Sequence, residues 1–187
     1  MTVTDVNVVK SAIFERPDDA NKGTLGSLLC VCGSYGMAGA AVMSAKGALR
    51  TGIGLAKCAL PRSIYPIVAQ TILESVYYPL SENADGRISK VNVPFLVSES
   101  CKSSATLVGC GLGVCDDTLK IVFSLIENST TPLVLDADAL NCVAKQPEIL
   151  LRKKAPIIIT PHPGEMSRLT GLATPLVNAE RERVALD

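Results

Sequence analysis

From residue 28 onward the chain alternates short, unbroken apolar runs with longer stretches of helical spacing, and no other feature restricts its fold as strongly. The runs Leu28–Cys32, Leu55–Leu60, Ser75–Tyr78, Thr106–Gly109, Leu133–Asp136 and Ile157–Thr160 predict strands. Three of them, LLCVC, PLVLD and PIIIT, are continuous rather than alternating, the pattern of strands buried on both faces. Between the runs, Ala38–Thr51, Asp116–Glu127 and Asp138–Ala144 carry Ala, Leu, Val and Ile at helical intervals with few breakers inside. Alternating strands and helices predict an α/β fold: a central, mostly parallel sheet with helices on both faces. No repeat, low-complexity tract or linker interrupts the pattern, so residues 1–187 are expected to form one domain.

With 48% hydrophobic residues the chain has enough apolar material for one substantial core. Its 18 basic and 18 acidic side chains cancel, which argues against nucleic acid or an anionic membrane as partner and for a small molecule. The seven cysteines, at positions 30, 32, 58, 101, 110, 115 and 142, form no C-x-x-C pair and no zinc-type spacing. They are expected to be reduced core thiols, and no metal site is expected. The opening MTVTDVNVVKSAIFERPDD lacks the apolar core of a signal peptide, and no later run is long enough to span a bilayer, so a cytoplasmic location is expected.

Ligands of open parallel sheets bind beyond the carboxyl ends of the strands, so the segments that follow each strand are where chemistry belongs. The first, Gly33–Gly39, opens a helix; its backbone N–H groups suit an anion or a polar ligand edge, and a tight packing turn accounts for it as well. Its G-x-x-G-x-x-G spacing is not a dinucleotide fingerprint, no acid occurs between Ala20 and Leu73 to hold a ribose, and there is no G-K-[ST]. Lys22, Lys46, Arg50, Lys57 and Arg62 lie in that acid-free stretch, as a polyphosphate-tolerant region or a solvated helix face. In Gly109–Gly113 glycines again stand where the chain must bend, with Asp116 and Asp117 as expected caps of the next helix. Asp136 ends a strand, and Asp138 and Asn141 fall in the first helical turn after it; capping explains one aspartate, and a polar-ligand or Mg²⁺-water role is open to the set. His162, the single histidine, is fixed between Pro161 and Pro163, with Glu165 favourably placed for the helix macrodipole.

In this order the segments resemble the NAD(P)H-hydrate dehydratase family, the carboxyl-terminal YjeF-type domain of the ribokinase-like superfamily. The resemblance begins at Asn21-Lys22-Gly23, similar to the family's H-K-G, and runs through GSYGMAGAAVMSAKGALRTGIGLAKCALP, GCGLG, PLVLDADALN and ITPHPGEMSRLTG. It implies a ribokinase-like fold and a repair reaction in which hydrated NADH or NADPH is dehydrated at the expense of ATP or ADP with Mg²⁺. Phosphorylation of the ring hydroxyl turns a poor leaving group into a good one, so the protein's task is positioning and charge screening. By matching positions, Ala40, Gly113, His162, Pro163, Gly164, Glu165, Met166, Ser167 and Arg168 are expected to face the hydrate substrate, with Asp136 and Asn141 in support. A homo-oligomer, a tetramer in many members, is also implied.

Cys110 departs from the proline usual in the family's G-P-G-L-G. The family's V-L-K-G-x-x-T and N-x-G-M-A-x-G-G-x-G-D segments, which supply nucleotide contacts, the anion hole and the general-base aspartate, are not in this sequence. The ending NAERERVALD reads as a charged amphipathic helix without a C-cap, hence the expectation of a carboxyl-terminally incomplete domain, without its catalytic base and inactive alone. Two other readings are a ribokinase-like kinase of a small alcohol or vitamin precursor and a nonenzymatic nucleotide-binding module; fold alone separates neither, and the TPHPGE and DADALN segments favour the dehydratase.

Overall fold

The computed structural model describes residues 17–186. In chain order its elements are β1 (Ser27–Val31), α1 (Ala38–Arg50), β2 (Leu55–Pro61), α2 (Tyr65–Thr71), β3 (Val76–Leu80), α3 (Val93–Cys101) and β4 (Ala105–Val108). They continue with α4 (Asp116–Asn128), β5 (Leu133–Leu135), α5 (Asp138–Val143), β6 (Ile157–Ile159), α6 (Pro163–Thr170), α7 (Thr174–Ala179) and α8 (Arg181–Leu186). All strand pairs are parallel, in the order β3-β2-β1-β4-β5-β6. The chain therefore reverses its direction across the sheet between β1 and β4, and the loops after those two strands face each other across a crevice.

Strand alternation splits the apolar residues into two cores, one per face. Leu29 and Val31 belong to a cluster with Leu96, Ile121, Leu125 and Leu140 of α3, α4 and α5. Cys30 and Cys32 belong to the other, with Ala41 and Ala45 of α1 and Val68 of α2. Helix α4 presents Ile121, Val122, Leu125 and Ile126 to the sheet, an i, i+1, i+4, i+5 stripe. Each such side chain contributes roughly 1.5–3 kcal/mol on burial.

The expected strands all match within two residues; β3 runs on through Pro79 to Leu80. As an edge strand it tolerates a residue without an N–H. Helices α2 and α3 were not expected; each is short and starts with a proline in its first turn, so neither shows a full period. PIIIT is corrected: β6 is an edge strand among the described residues, with Ile158 59% and Ile159 37% exposed, so its continuous apolar run does not mark two-sided burial. The helix expected at the end is two, α7 and α8, broken at Glu180. No described helix is long and apolar enough to cross a membrane.

The register sets Lys57 beside Leu29, on the face that α3 covers. There its ammonium lies 3.8 Å from Glu99 and donates to the Ser103 hydroxyl at 3.3 Å. Lys57 is thus turned into the molecule and does not join a surface basic patch. Glu99 also accepts from Tyr78 at 3.0 Å and from Lys102 at 2.8 Å. Lys102 above all, then Tyr78 and Lys57, hold its carboxyl below the usual range against the opposing effect of burial. A carboxyl depressed in the folded state stabilises above its unfolded pKa, and that contribution fades as pH falls through the folded value. Glu99→Gln should therefore cost most stability near neutrality, and urea unfolding should show the two proteins converging below about pH 4; a gap that widens in acid would contradict this.

Candidate active site

Because the strands are parallel, the four segments singled out in the sequence leave the sheet at the same rim. Glycine is required where the loops touch: a Cβ on Gly109, whose φ is +126°, would overlap the Asp136 carbonyl. One on Gly111 would come within 2.7 Å of Ala40 Cβ, so Ala40 at the start of α1 packs on the second glycine loop. The Gly33 amide donates to the Cys110 carbonyl at 2.9 Å and the buried Ser34 hydroxyl to the Gly111 carbonyl at 2.8 Å. The first and second loops are thereby joined at two points.

The second, third and fourth segments are joined by a chain of polar contacts. The Gly113 amide donates to Asp138 Oδ2 at 2.8 Å; Asn141 Nδ2 donates to Asp138 Oδ1 at 3.3 Å; Arg168 Nε donates to Asn141 Oδ1 at 2.8 Å. Asp138 and Asn141 share one face of α5 at i, i+3, which lets one carboxylate and one amide span from β4's loop to α6. Asp136 makes a second link, accepting from the Thr160 hydroxyl at 2.7 Å and the Cys110 thiol at 3.2 Å. Between these two aspartates Ala137 has φ +51°, the only described non-glycine residue with positive φ, and it sits at the strand end where the chain must turn into α5.

His162 is the N-cap of α6: Nδ1 accepts from the Gly164 amide at 3.0 Å, and the His162 amide donates to Glu165 Oε2 at 2.9 Å. Buried Glu165 also lies 3.2 Å from His162 Nε2, so the ring is held on both sides while most of it stays exposed. A Cβ on Gly164 would meet the His162 ring at 2.9 Å and Arg168 at 3.8 Å, so the glycine lies between those two side chains.

The sequence-derived residues thus fall into two groups. Ala40, Gly113, Asp136, Asn141, His162, Gly164, Glu165 and Arg168 belong to the rim or hold it. Ser167 donates to the Leu172 carbonyl at 2.6 Å, and Met166 lines a small cleft with Pro163, Val177 and Arg181, so both side chains are engaged away from the relay. Asp138, read as a helix-start residue, is the hub; its spacing to Asn141 was the available signal. Thr160 opens the TPHPGE segment but was given no role of its own there; its place directly after β6 was the available signal.

Two expectations about caps and thiols are corrected. The N-cap of α4 is Cys115, paired with Thr118 in a capping box, and not Asp116 or Asp117; Asp117 accepts from Asn83 at 2.9 Å instead. All seven cysteines are free, but Cys101, Cys110 and Cys115 are only partly buried, and the last two lie in the rim loop. A hydrogen bond to Cys110, then burial, pushes the Cys32 thiol up. Burial opposes ionisation of Cys115, but hydrogen bonds from Thr118, Asp117 and Arg87 bring its thiol below the ordinary value. Among the described residues no three His, Cys, Asp or Glu side chains gather to hold a metal ion.

A parallel sheet with helices on both faces and glycine loops at its switch point, superposing on solved relatives, gives the chain a ribokinase-like α/β fold. Comparison with known proteins narrows the class. The model of the NAD(P)H-hydrate dehydratase family matches residues 28–186. A bifunctional NAD(P)H-hydrate repair enzyme of Thermofilum pendens is 37% identical over 172 residues, 92% of this chain and 33% of that one. An ADP-dependent (S)-NAD(P)H-hydrate dehydratase of Neisseria meningitidis is 32% identical over 169 residues, 89% of this chain and 53% of the relative. The crystal structure of the ADP/ATP-dependent NAD(P)H-hydrate dehydratase of Bacillus subtilis, co-crystallised with ATP/Mg²⁺, superposes with a TM-score of 0.75 at 27% identity, covering 96% of this chain and 59% of that one. The chain belongs to the NAD(P)H-hydrate dehydratase family, and it spans about a third of the bifunctional relatives and just over half of the dehydratases.

Asp138→Ala should separate the β4 loop from α5 and leave the Gly113 amide without its acceptor. A hydrogen bond to a charged group contributes about 1.5–3 kcal/mol, and the variant should lose that much unfolding free energy, seen as a lower urea midpoint at unchanged slope. A midpoint equal to that of the unaltered protein would show that the relay does not hold the rim.

Proposed function

We propose that this chain supplies the substrate-binding rim of an NAD(P)H-hydrate dehydratase, acting on hydrated NADH or NADPH with ATP or ADP and Mg²⁺. The observation that carries the reading is the relay from Gly113 through Asp138 and Asn141 to Arg168, which ties together the residues that the family resemblance assigns to the substrate. The family match over residues 28–186 supports it.

The rim's chemistry fits binding and orientation. Three of its carboxylates are already committed: Asp138 to the Gly113 amide, Asp136 to Thr160 and Cys110, and Glu165 to the His162 amide. These contacts fix the three carboxylates in place, which suits them to hold the geometry of the rim. His162, braced by Glu165 and exposed, offers a ring face and edge to a nicotinamide, and the glycine loops allow close backbone approach. A nucleotide, when bound, would supply the phosphoryl group that makes the hydroxyl a good leaving group. Mg²⁺ would arrive on its phosphates, since Mg²⁺ is held by one or two carboxylates together with phosphate oxygens and not by an all-protein cage. We propose further that the complete protein is a cytoplasmic homo-oligomer.

The test is a titration and an assay on the 187-residue chain. Hydrated NADH should bind, and with ATP or ADP and Mg²⁺ no restoration of absorbance at the reduced-nicotinamide band should follow. Turnover would overturn the assignment of binding without catalysis; lack of binding would overturn the substrate.

A further inference from the structure

The crevice between the β1 and β4 loops has a third wall, supplied by the hairpin that follows β3. An antiparallel bridge between Glu82 and Ile88 closes this hairpin. Asn83 organises it: its side-chain oxygen accepts from the amides of Asp85 at 3.0 Å and Arg87 at 3.1 Å, and its own amide donates to the Arg87 carbonyl at 2.9 Å. The tip is fastened to the first glycine loop, where the Tyr35 amide donates to the Gly86 carbonyl at 2.9 Å. The base is fastened to α4 through Asn83 and Asp117, at 2.9 Å. The bridge and these five hydrogen bonds therefore fix where residue 87 projects.

From there the Arg87 side chain lies across Gly113. A Cβ on that glycine would stand 2.9 Å from Arg87 Cδ, and Gly113 has φ +75°, so glycine is required there for backbone and for space. The guanidinium is partly sheltered, with 31% of the side chain exposed. Its carboxylate partner, Asp85, is 68% exposed and 3.4 Å away, a solvent-screened pair of the kind that contributes little and yields readily to a better anion.

We propose that Arg87 is the phosphate-recognising residue of this crevice, a specificity determinant for the dinucleotide part of the substrate. The proposal rests on the reading of the rim as a hydrated-dinucleotide site. Ligands of doubly wound sheets lie between the two loops at the switch point, and Arg87 is the cation that the hairpin holds against one of them. A guanidinium presents a planar fork of donors matched to two phosphate oxygens, which an ammonium does not. The Arg168 guanidinium, at the other end of the relay, donates its Nε to Asn141, whereas the Arg87 fork has an exposed acid, Asp85, and the Cys115 thiol as its partners, both weaker anions than a phosphate.

The experiment uses the full chain, its R87A and R87K forms, and two probes measured by calorimetry: NADPH and the phosphate-free reduced nicotinamide riboside. Melting temperatures are compared first, to verify that both variants fold. R87A should weaken NADPH binding at least tenfold and leave the riboside unchanged, and R87K should restore only part of the loss. Equal NADPH affinity in R87A and the unaltered chain would overturn the assignment of Arg87 and leave the site reading intact. An equal loss for both probes would mean that the side chain only packs on Gly113, which also overturns it. If the unaltered chain binds neither probe, the reading of the rim itself fails, and the role of Arg87 with it.

Discussion

The Gly113 amide points at the carboxylate of Asp138, a residue of a different strand's loop, and the hydrogen bond between them is charge-assisted. The Cys110 and Gly111 carbonyls tie the β4 loop to the first loop, and this bond ties its far end to α5. Asp138 in turn orients Asn141, and Asn141 holds Arg168, so one carboxylate sets the relative positions of three loops. A parallel sheet brings loops to one rim; it does not by itself set their distances, and the relay does that here.

The rim divides labour between backbone and side chains. Glycines 109, 111 and 113 bring the main chain close, because side chains there would overlap Asp136, Ala40 and Arg87 respectively. The acids then satisfy the amides and hydroxyls so exposed, which is the usual requirement for half-buried polar groups. This accounts for the density of aspartates in DADALN: one serves Thr160 and Cys110, the other Gly113, and neither caps the helix through its side chain.

What was legible in the sequence follows from which forces are local. The strand runs and the helices α1, α4 and α5 could be read because apolar periodicity is a local record of burial. The run in β6 misled, since an apolar strand reads alike whether a neighbour covers it or not, and cover is a non-local fact. Of the rim, His162 and its prolines, Gly113 and the DADALN acids were visible from composition and position after a strand. Arg87 was not, because nothing within Asn83–Arg87 says that the hairpin folds back over a residue 26 positions further along. Lys57 shows the converse error: counted among surface cations, it is drawn to Glu99 by a strand register that no short window contains.

The central claim is that three loops and α6 act as one ligand-binding unit at the carboxyl rim. Hydrogen exchange of the chain with and without NADPH tests it directly. Slowed exchange should appear together in Gly33–Ala40, Gly109–Gly113 and His162–Arg168, with the amino end of the sheet around Leu25–Leu28 unaffected. Protection confined to that opposite end, or to one of the three segments alone, would contradict the account.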